Sequence, residues 1–336
     1  MSTNSEHFTH ATSHAATRAV ASLLRVARGS VLAVAIAACS DGATSPIEDP
    51  SEAATYDLVF EQSAFPLNAS VLRIQRQGET AFSPLFGREM FGVEPTASAD
   101  GRIVVYQGYG SDIGGIDDSD LWLVRANSAP QRVPLPLGET EYAPALSPDG
   151  TRLAFVRLGD DGHTELWTCR LDGTERRRVS PKENGIASAS SSPDWSPDGQ
   201  RIAWAYGAPG QLRINIMNAD GSNRQVVSAG VSNGADYDVD WSPDGSRLAF
   251  VRTPSPVRGD LVIVTLATGQ EHAFGLASRT RHPAWAPDGR TIVFASTMDA
   301  PDEDYELYTV KPDGAELTRL TFDDLNQRHP MWLRRN

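Results

Sequence analysis

The sequence has little cysteine, little positive charge and no long hydrophobic run. Its 336 residues contain two cysteines, Cys39 and Cys169, and if Cys39 is used elsewhere, Cys169 alone can form no intramolecular disulfide. Asp and Glu outnumber Lys and Arg by 43 to 30, giving a formal net charge of −13. A surface this acidic repels phosphates, which excludes nucleic acid as a favoured partner and argues against anionic lipid headgroups. The apolar run at residues 30–39 is much shorter than the roughly 20 residues of a membrane-spanning helix.

The first 39 residues have the features of an export signal. Three arginines precede the apolar run, which is the order of a basic n-region and an h-region. The run ends in Ile-Ala-Ala-Cys39, which resembles a bacterial lipobox and implies lipidation of Cys39. Ser40 follows it, which implies the outer membrane, facing the periplasm or the cell surface. We expect a lipoprotein signal peptide over 1–38 and a flexible tether over 39–55; the alternative is a plain signal peptide.

One phrase recurs along the rest of the chain. PDWSPDGQRIAWA begins at Pro193, and close copies begin at Pro144, Val239 and Pro283. Each copy holds a Pro-Asp-Gly turn, in which proline presets φ, Asp bonds its own backbone and Gly accepts a positive φ. Alternating apolar residues predict four short strands in each unit, Cys169 being a buried small hydrophobe in one of them. Four strands at a period of 40–50 residues are typical of a propeller blade.

We therefore predict an all-β fold, a six-bladed β-propeller of four-stranded antiparallel blades over residues 56–336. Residues 56–63 match a second strand and 70–85 a third and fourth, with no first strand before them. The stub His329–Trp332 is a first strand with nothing after it. Together they complete one blade, so the C-terminal strand closes the ring. The tryptophans at the end of the first strands are expected to fill the gaps between blades: Trp195, Trp241, Trp285 and Trp332.

The copies WSPDGQRIAWA, WSPDGSRLAFV and ELYTVKPDGAELTRLT resemble the WD40-like PD40 repeats of the TolB propeller family. The resemblance covers residues 56–336 and implies a propeller that binds a peptidoglycan-associated lipoprotein in the bacterial envelope. TolB also has an N-terminal α/β domain, for which the sixteen residues between Cys39 and Tyr56 leave no room. We expect a monomeric TolB-like lipoprotein without that domain, held at the membrane through its lipid and bound to an envelope or peptidoglycan-associated partner.

Similar repeats form the non-catalytic propeller of prolyl oligopeptidase-type peptidases, in which an α/β-hydrolase domain does the chemistry. Gly230–Gly234 fits G-x-S-x-G, but a nucleophile elbow needs a strand before the serine and a helix after it. Here the first strand of the next blade follows at once. We therefore expect no catalytic role for Ser232.

Candidate binding residues lie three positions before the tryptophan position of each blade. The alignment brings six of them to one mouth of the central channel: Glu94, Ala143, Ser192, Asp238, His282 and His329. Arg281 and Arg328 precede the two histidines. Asp238, His282 and His329 come from consecutive blades and could bind a transition metal or supply acid–base groups. The alternative is that Arg-His-Pro is simply how these blades begin, each His bonding loop backbone.

The loops that join second and third strands predict an acidic face. Their carboxylates are Asp112, Asp117, Asp118 and Asp120 in one loop, and Asp299, Asp302, Glu303, Asp304 and Glu306 in another. Clustered carboxylates suit Ca²⁺, but neither loop follows the D-x-[DN]-x-[DN]-G pattern, and solvated acidic loops are the alternative. Either way this face favours a basic partner.

Two functions are compatible with these features. The first is a non-catalytic, envelope-anchored binding scaffold with no cofactor. The alternative is an enzyme or ligand binder at the channel mouth, metal-dependent and acting on carbohydrate. Catalysis needs at least two titratable groups within reach of one substrate atom. The mouth position offers only one such trio, and other blades have alanine or serine there. The sequence therefore favours the scaffold and no enzymatic activity.

Overall fold

The part of the chain that the structure describes is built of β-strands. The structure is a computed structural model, and the residues it describes are 56–63, 70–88, 90–109, 119–181, 189–232, 234–255, 258–276, 278–299, 304–323 and 325–335. Among them no helix is long and apolar enough to cross a membrane. Cys39 lies outside the described residues, so the signal peptide, the lipidation and the tether stay predictions.

The strands form six four-stranded antiparallel sheets, which confirms the predicted blades. In each blade the strands are ordered from the first, next to the channel, to the fourth at the rim. Blade 1 comprises β24 (Asn326–Arg334), β1 (Tyr56–Ser63), β2 (Ser70–Gln75) and β3 (Phe82–Pro84). Blade 2 comprises β4 (Gly92–Ala97), β5 (Ile103–Tyr109), β6 (Ser119–Arg125) and β7 (Gln131–Arg132). Blade 3 comprises β8 (Glu141–Leu146), β9 (Arg152–Leu158), β10 (Thr164–Arg170) and β11 (Arg177–Arg178).

The other three blades repeat this plan. Blade 4 comprises β12 (Ala189–Trp195), β13 (Arg201–Gly207), β14 (Arg213–Asn218) and β15 (Gln225–Val226). Blade 5 comprises β16 (Ala235–Trp241), β17 (Arg247–Ser255), β18 (Arg258–Thr265) and β19 (Gln270–Ala273). Blade 6 comprises β20 (Thr280–Trp285), β21 (Ile292–Ser296), β22 (Glu306–Val310) and β23 (Thr318–Arg319). A short 3₁₀ turn, Leu85–Gly87, follows β3.

The ring closes in blade 1, where the last strand pairs with the first. Strand β24 runs antiparallel to β1, with Tyr56 opposite Arg334 and Ser63 opposite Asn326. Arg335 adds an ion pair with Asp57 at the end of this ladder. The predicted closure by the C-terminal strand is therefore confirmed, and it gives blade 1 its fourth strand.

Each of six hydrophobic clusters lies between two consecutive blades. Between blades 3 and 4, for example, Trp195 packs with Val156 and Leu166. Its indole Nε1 also donates a hydrogen bond to the carbonyl oxygen of Ala145, at 3.0 Å. On its other side the guanidinium of Arg152 lies 5.3 Å from the ring centroid, a cation–π contact. The predicted role of the tryptophans as fillers between blades is therefore confirmed.

The recurrent Ser-Pro-Asp-Gly turn is held by its own side chains. In blade 3 the Ser147 hydroxyl donates to Asp149 Oδ1 at 2.6 Å, and the Thr151 N–H donates to the same oxygen at 3.0 Å. The Arg152 N–H then donates to Ser147 Oγ at 2.9 Å. The serine hydroxyl and the backbone N–H bonds hold the pKa of Asp149 below its usual value. This network explains why the sequence repeats the whole phrase rather than Asp-Gly alone.

Gly101 provides a test of ring closure. It has a φ of +67°, and a Cβ there would lie 2.2 Å from the carbonyl oxygen of Arg334 in the closing strand. We expect Gly101→Ala to lower the free energy of unfolding by about 1 kcal/mol for the left-handed backbone and by about 1–3 kcal/mol more for the clash. Urea denaturation measures it. Gly289→Ala is the control, since Gly289 has a φ of +68° and its nearest atom is 4.0 Å away. Equal losses in the two variants would contradict the clash.

Candidate functional site

A cavity of about 520 Å³ runs along the propeller axis. Its walls come from the first strands of all six blades, and its mouth holds the six residues that the repeat alignment brings together. All six have a left-handed backbone, with φ between 47° and 54°. They are Glu94, Ala143, Ser192, Asp238, His282 and His329. The structure therefore brings the candidate residues to one mouth, while their binding role stays a prediction.

A β-bulge produces this conformation in every blade. In blade 5 Tyr237 pairs with Val251 and Asp240 with Ala249, so Asp238 and its neighbour oppose Phe250 alone. A bulge bends the strand and re-aims the side chain at the extra residue. The residue opposite the bulge is aromatic in each blade: Phe60, Tyr106, Phe155, Trp204, Phe250 and Phe294. This aromatic position, in the second strand, marks the bulge in the sequence.

Side chains at the mouth bond the backbone of the following blade. Glu94 Oε2 accepts the N–H of Ala143 at 2.7 Å, and Asp238 Oδ2 accepts the N–H of His282 at 3.2 Å. Asp238 Oδ1 also accepts the hydroxyl of Ser192 at 3.0 Å. These bonds satisfy N–H groups on the channel side of the first strands, where no strand pairs. The mouth carboxylates are therefore part of the framework of the ring.

The two histidines lie against each other beside these carboxylates. Their ring centroids are 3.6 Å apart. His329 Nδ1 is 2.7 Å from Glu61 Oε2, and its Nε2 is 3.6 Å from Glu94 Oε1. Burial lowers the pKa of His329, but the bonds to Glu61 and Glu94 outweigh it and raise the pKa to about 9. Burial, and then the charge of His329, hold the pKa of His282 well below its usual value. At neutral pH one histidine of the pair is charged and the other is neutral.

A second pair of acids lies two residues deeper. Asp194 Oδ2 accepts the N–H of Trp241 at 2.8 Å, and Asp240 Oδ2 accepts the N–H of Trp285 at 2.7 Å. Burial raises the pKa of Asp194 to about 7, and burial together with the charge of Asp194 raises that of Asp240 well above its usual value. Both acids are therefore poised to hold protons near neutral pH. The sequence alignment of mouth positions does not find these two acids. The Asp-Trp pair that recurs in blades 4 and 5 could have identified them.

Besides burial and His329, the charges of Arg281 and Arg328 lower the pKa of His282, whereas the described acidic-loop candidates bond elsewhere. The Arg281 guanidinium lies 4.9 Å from the centroid of the Tyr237 ring, and that of Arg328 lies 4.6 Å from the centroid of Tyr305. Asp120 forms an ion pair with Arg132 at 2.5 Å, and Asp304 accepts a bond from the Asn326 amide at 2.7 Å. Five carboxylates of the acidic loops lie outside the described residues: Asp112, Asp117, Asp118, Asp302 and Glu303.

Two residues singled out by motif have structural surroundings. Ser232 precedes strand β16 and not a helix, so the backbone does not form a nucleophile elbow. Cys169 is buried in β10, and burial raises the pKa of its thiol to about 12, which keeps it protonated.

The trio of Asp238, His282 and His329 does not have the arrangement of a metal site. Within the described ranges no three His, Cys, Asp or Glu side chains are grouped so that they could hold a metal ion. The protonated His329 is also unfit as a ligand, because a metal needs a neutral imidazole. Asp238 Oδ2 lies 3.6 Å from His282 Nε2, so these groups face each other.

Six four-stranded blades around one cavity, closed by the C-terminal strand, define a six-bladed β-propeller. The TolB beta propeller domain family, PD40, matches residues 73–335. The chain belongs to this family.

Relatives of known name agree with this membership over part of their length. A protein TolB homolog of Chlorobium luteolum is 33% identical over 178 residues, which cover 52% of this chain and 38% of that protein. The Tol-Pal system protein TolB of Alcanivorax borkumensis is 38% identical over 65 residues, 19% of this chain and 14% of that protein. The uncharacterized peptidase YuxL of Bacillus subtilis is 25% identical over 190 residues, 55% and 26% respectively. The matches thus span well under half of each relative.

Solved structures share the fold at low sequence identity. TolB from Acinetobacter baumannii superposes with a TM-score of 0.67 at 17% identity, over 83% of this chain and 67% of that chain. An oligogalacturonate lyase in complex with manganese superposes with a TM-score of 0.52 at 18% identity, over 76% and 71%. These likenesses show the propeller architecture alone.

The raised pKa of His329 predicts a pH-dependent stability. The unfolded chain has a histidine pKa near 6.5, so the contribution of the charged His329 is fully present below that pH and is lost as the pH rises through about 9. Because the side chain is partly exposed, solvent screens part of its charge. We therefore expect the free energy of unfolding to fall by about 2 kcal/mol over this window, which is less than the full pKa shift would give. His329→Gln removes this fall, whereas His272→Gln, on the outer strand β19, retains it. Urea titrations between these pH values measure the difference. A slope as steep in His329→Gln as in the parent would contradict the assignment, since only a smaller fall, such as that belonging to Asp194 with its pKa of about 7, should remain.

Proposed function

We propose that this protein is a non-catalytic propeller that binds another protein of the bacterial envelope at its channel mouth. The observation that carries the proposal is that the polar groups of the mouth bond one another and the neighbouring backbone. Glu94, Asp238 and His329 each have such partners. An enzyme needs groups that converge on a substrate atom instead. Because these side chains are already held in place by hydrogen bonds, the binding surface at the mouth is preorganised, which lowers the entropic cost of binding.

Membership of the TolB propeller family supports a protein-binding role. The partial match to a Tol-Pal system protein supports the envelope as the place of action. Anchoring by lipid at Cys39, in the outer membrane, remains part of the proposal, as does the monomeric state.

The chemistry of the mouth face supports a basic partner. Second strands end and third strands begin on the mouth side of the propeller, and the sequence that joins them carries the carboxylates from Asp112 to Asp120 in blade 2 and from Asp299 to Glu306 in blade 6. A basic surface on the partner is steered toward such a field, so the acidic loops raise the association rate as well as the specificity.

A second candidate function is a ligand-binding or enzymatic mouth that acts on carbohydrate. It is favoured by one observation, the stacked His282 and His329 beside Asp238. The similar fold of an oligogalacturonate lyase in complex with manganese supports it at the level of architecture. The absence of a three-ligand group among the described residues argues against a metal there.

Neutralising the acidic loops tests the scaffold. We expect cross-linking in native envelopes, with a tag after Asn336, to capture one dominant protein. Capture should fall about tenfold or more in the triple variant Asp117→Asn, Asp118→Asn, Asp302→Asn, because complementary charge steers association. The control triple variant Glu79→Gln, Glu175→Gln, Glu316→Gln removes the same charge from turns on the opposite face and should leave capture unchanged. Equal capture by all three proteins would contradict binding at the acidic face.

Metal titration separates the second candidate from the first. We expect Mn²⁺, Zn²⁺ and Ca²⁺ to leave the Tm of the wild-type protein within about 1 °C at pH 7, since His329 is protonated and a bound metal would raise Tm by mass action. A rise of several degrees that disappears in the His282→Ala, His329→Ala double variant would overturn the scaffold in favour of a metal-dependent mouth. Gln substitution of the exposed His163 serves as the control for a stray surface site.

A further inference from the structure

Two neighbouring grooves lie at the end of the propeller opposite the mouth, one on blade 3 and the other between blades 2 and 3. Their volumes are about 580 and 530 Å³, and both are lined by Thr151 and Arg170. The Arg170 backbone ends strand β10, Thr151 precedes β9, and Arg125 ends β6. Because first strands run away from the mouth, the ends of third strands and the starts of second strands lie on the far face. This far face is therefore distinct from the mouth discussed above.

The grooves are strongly basic although the protein is acidic. Six of their lining residues are arginines: Arg125, Arg132, Arg152, Arg170, Arg176 and Arg177. Asp172 and Glu175 also line the grooves, and Arg132 and Arg176 are paired with Asp120 and Glu139, so six arginines against four carboxylates leave an excess of two positive charges. This local excess is opposite in sign to the net charge of −13 of the whole chain.

The arginines are brought together at a cost to the sheet. Arg152 and Arg170 are direct partners across strands β9 and β10, and like charges in that position destabilise a ladder. Glu175 bonds Arg170 at 2.7 Å, whereas Arg152 lies over the Trp195 ring. The Arg125 side chain is exposed and has no bond to another described residue, and Arg177 bonds only the carbonyl oxygen of Ala219, at 3.1 Å. Guanidinium groups thus remain available to an anion.

The far face is also where the described chain begins. Tyr56 starts strand β1 opposite Arg334, the end of the closing strand, and Arg334 and Tyr56 line the far end of the axial cavity. The 55 residues that precede Tyr56 in the sequence therefore join the propeller on the face that holds the basic grooves. Among them is Cys39, the candidate lipid anchor.

We propose that the basic grooves of the far face, on blade 3 and between blades 2 and 3, bind the phosphate groups of anionic membrane lipids. Arginine suits phosphate because its planar fork donates two parallel hydrogen bonds to it. The face that receives the N-terminal segment lies against the bilayer, and the mouth points away from it. This inference is independent of the partner at the mouth.

Electrostatic screening allows an acidic protein to make this contact. Seven-residue strands such as β9 span about 23 Å, so the mouth face lies more than two Debye lengths from the grooves at 0.1 M salt, where this length is about 10 Å. The lipid surface therefore interacts mainly with the positive charge of the grooves, because the more distant negative charge of the protein is largely screened. Each arginine near an anionic surface strengthens binding by about fivefold.

Vesicle sedimentation tests the proposal on the full chain carrying Cys39→Ser, which removes any lipid. We expect binding to phosphatidylcholine vesicles containing phosphatidylglycerol, no binding to phosphatidylcholine alone, and release in about 1 M salt, where the Debye length is about 3 Å. The double variant Arg125→Glu, Arg177→Glu should bind at least about tenfold more weakly. The control Arg88→Glu, Arg258→Glu makes the same change in net charge at exposed residues near the mouth face and should bind like the parent.

Several outcomes would overturn the inference. Equal loss in the groove variant and the control would mean that net charge alone governs binding. Full displacement by millimolar inorganic phosphate would assign the grooves to a free anion, and displacement by a poly-glutamate peptide but not by phosphate would assign them to an acidic protein. Binding to neither kind of vesicle would also contradict the proposal. Circular dichroism of the groove variant excludes misfolding, because a folded propeller with weakened binding is the expected result.

Discussion

The first strand of every blade pairs with a neighbour on one side only, and its other edge faces the axial channel. Backbone N–H groups along that edge need acceptors. Among the described strands, none pairs with the channel edge of a first strand to supply them. The preceding blade supplies them through its side chains: Glu94 bonds Ala143, Asp194 bonds Trp241 and Asp240 bonds Trp285. The bulge makes the bond from Glu94 possible, because it turns the mouth residue of the blade toward the channel. The main role of the channel carboxylates is therefore to accept these backbone hydrogen bonds and so to hold neighbouring blades together.

This constraint explains which features the sequence predicts and which it does not. The blades, their number and the closing strand follow from the repeated turn and from the unmatched strands at residues 56–85 and 329–332, and the structure has all of them. The mouth position also follows from alignment, because a repeat places equivalent residues at one level of the ring. Glu61 is not found this way, since it lies on the second strand of blade 1 and reaches His329 only through ring closure. Contacts made by closure have no periodic signal.

The same bonds decide how the mouth can be used. His329 is held between two carboxylates, and His282 is kept neutral by burial and by the charge of its neighbour. A sequence that shows Asp, His and His in successive blades resembles a metal site, yet in the folded chain the side chains of Asp238 and His329 are already bonded to other groups. Release of any of them for a metal or a substrate would leave a buried polar atom unpaired, which costs about 1–3 kcal/mol. A surface that binds without rearrangement of these groups meets no such cost.

The net charge of a protein does not predict its binding partners when its positive and negative charges lie on different faces. The value of −13 argues against contact with phosphates only if the charge is spread evenly or if screening is weak. Here six arginines line grooves on one face, and the carboxylates of Glu94 and Asp238 lie at the mouth on the other. Because a propeller is thicker than two Debye lengths in ordinary salt, each face interacts with its surroundings almost independently. The fold thus allows one small domain to meet an anionic surface and a basic partner at the same time, in opposite directions along its axis.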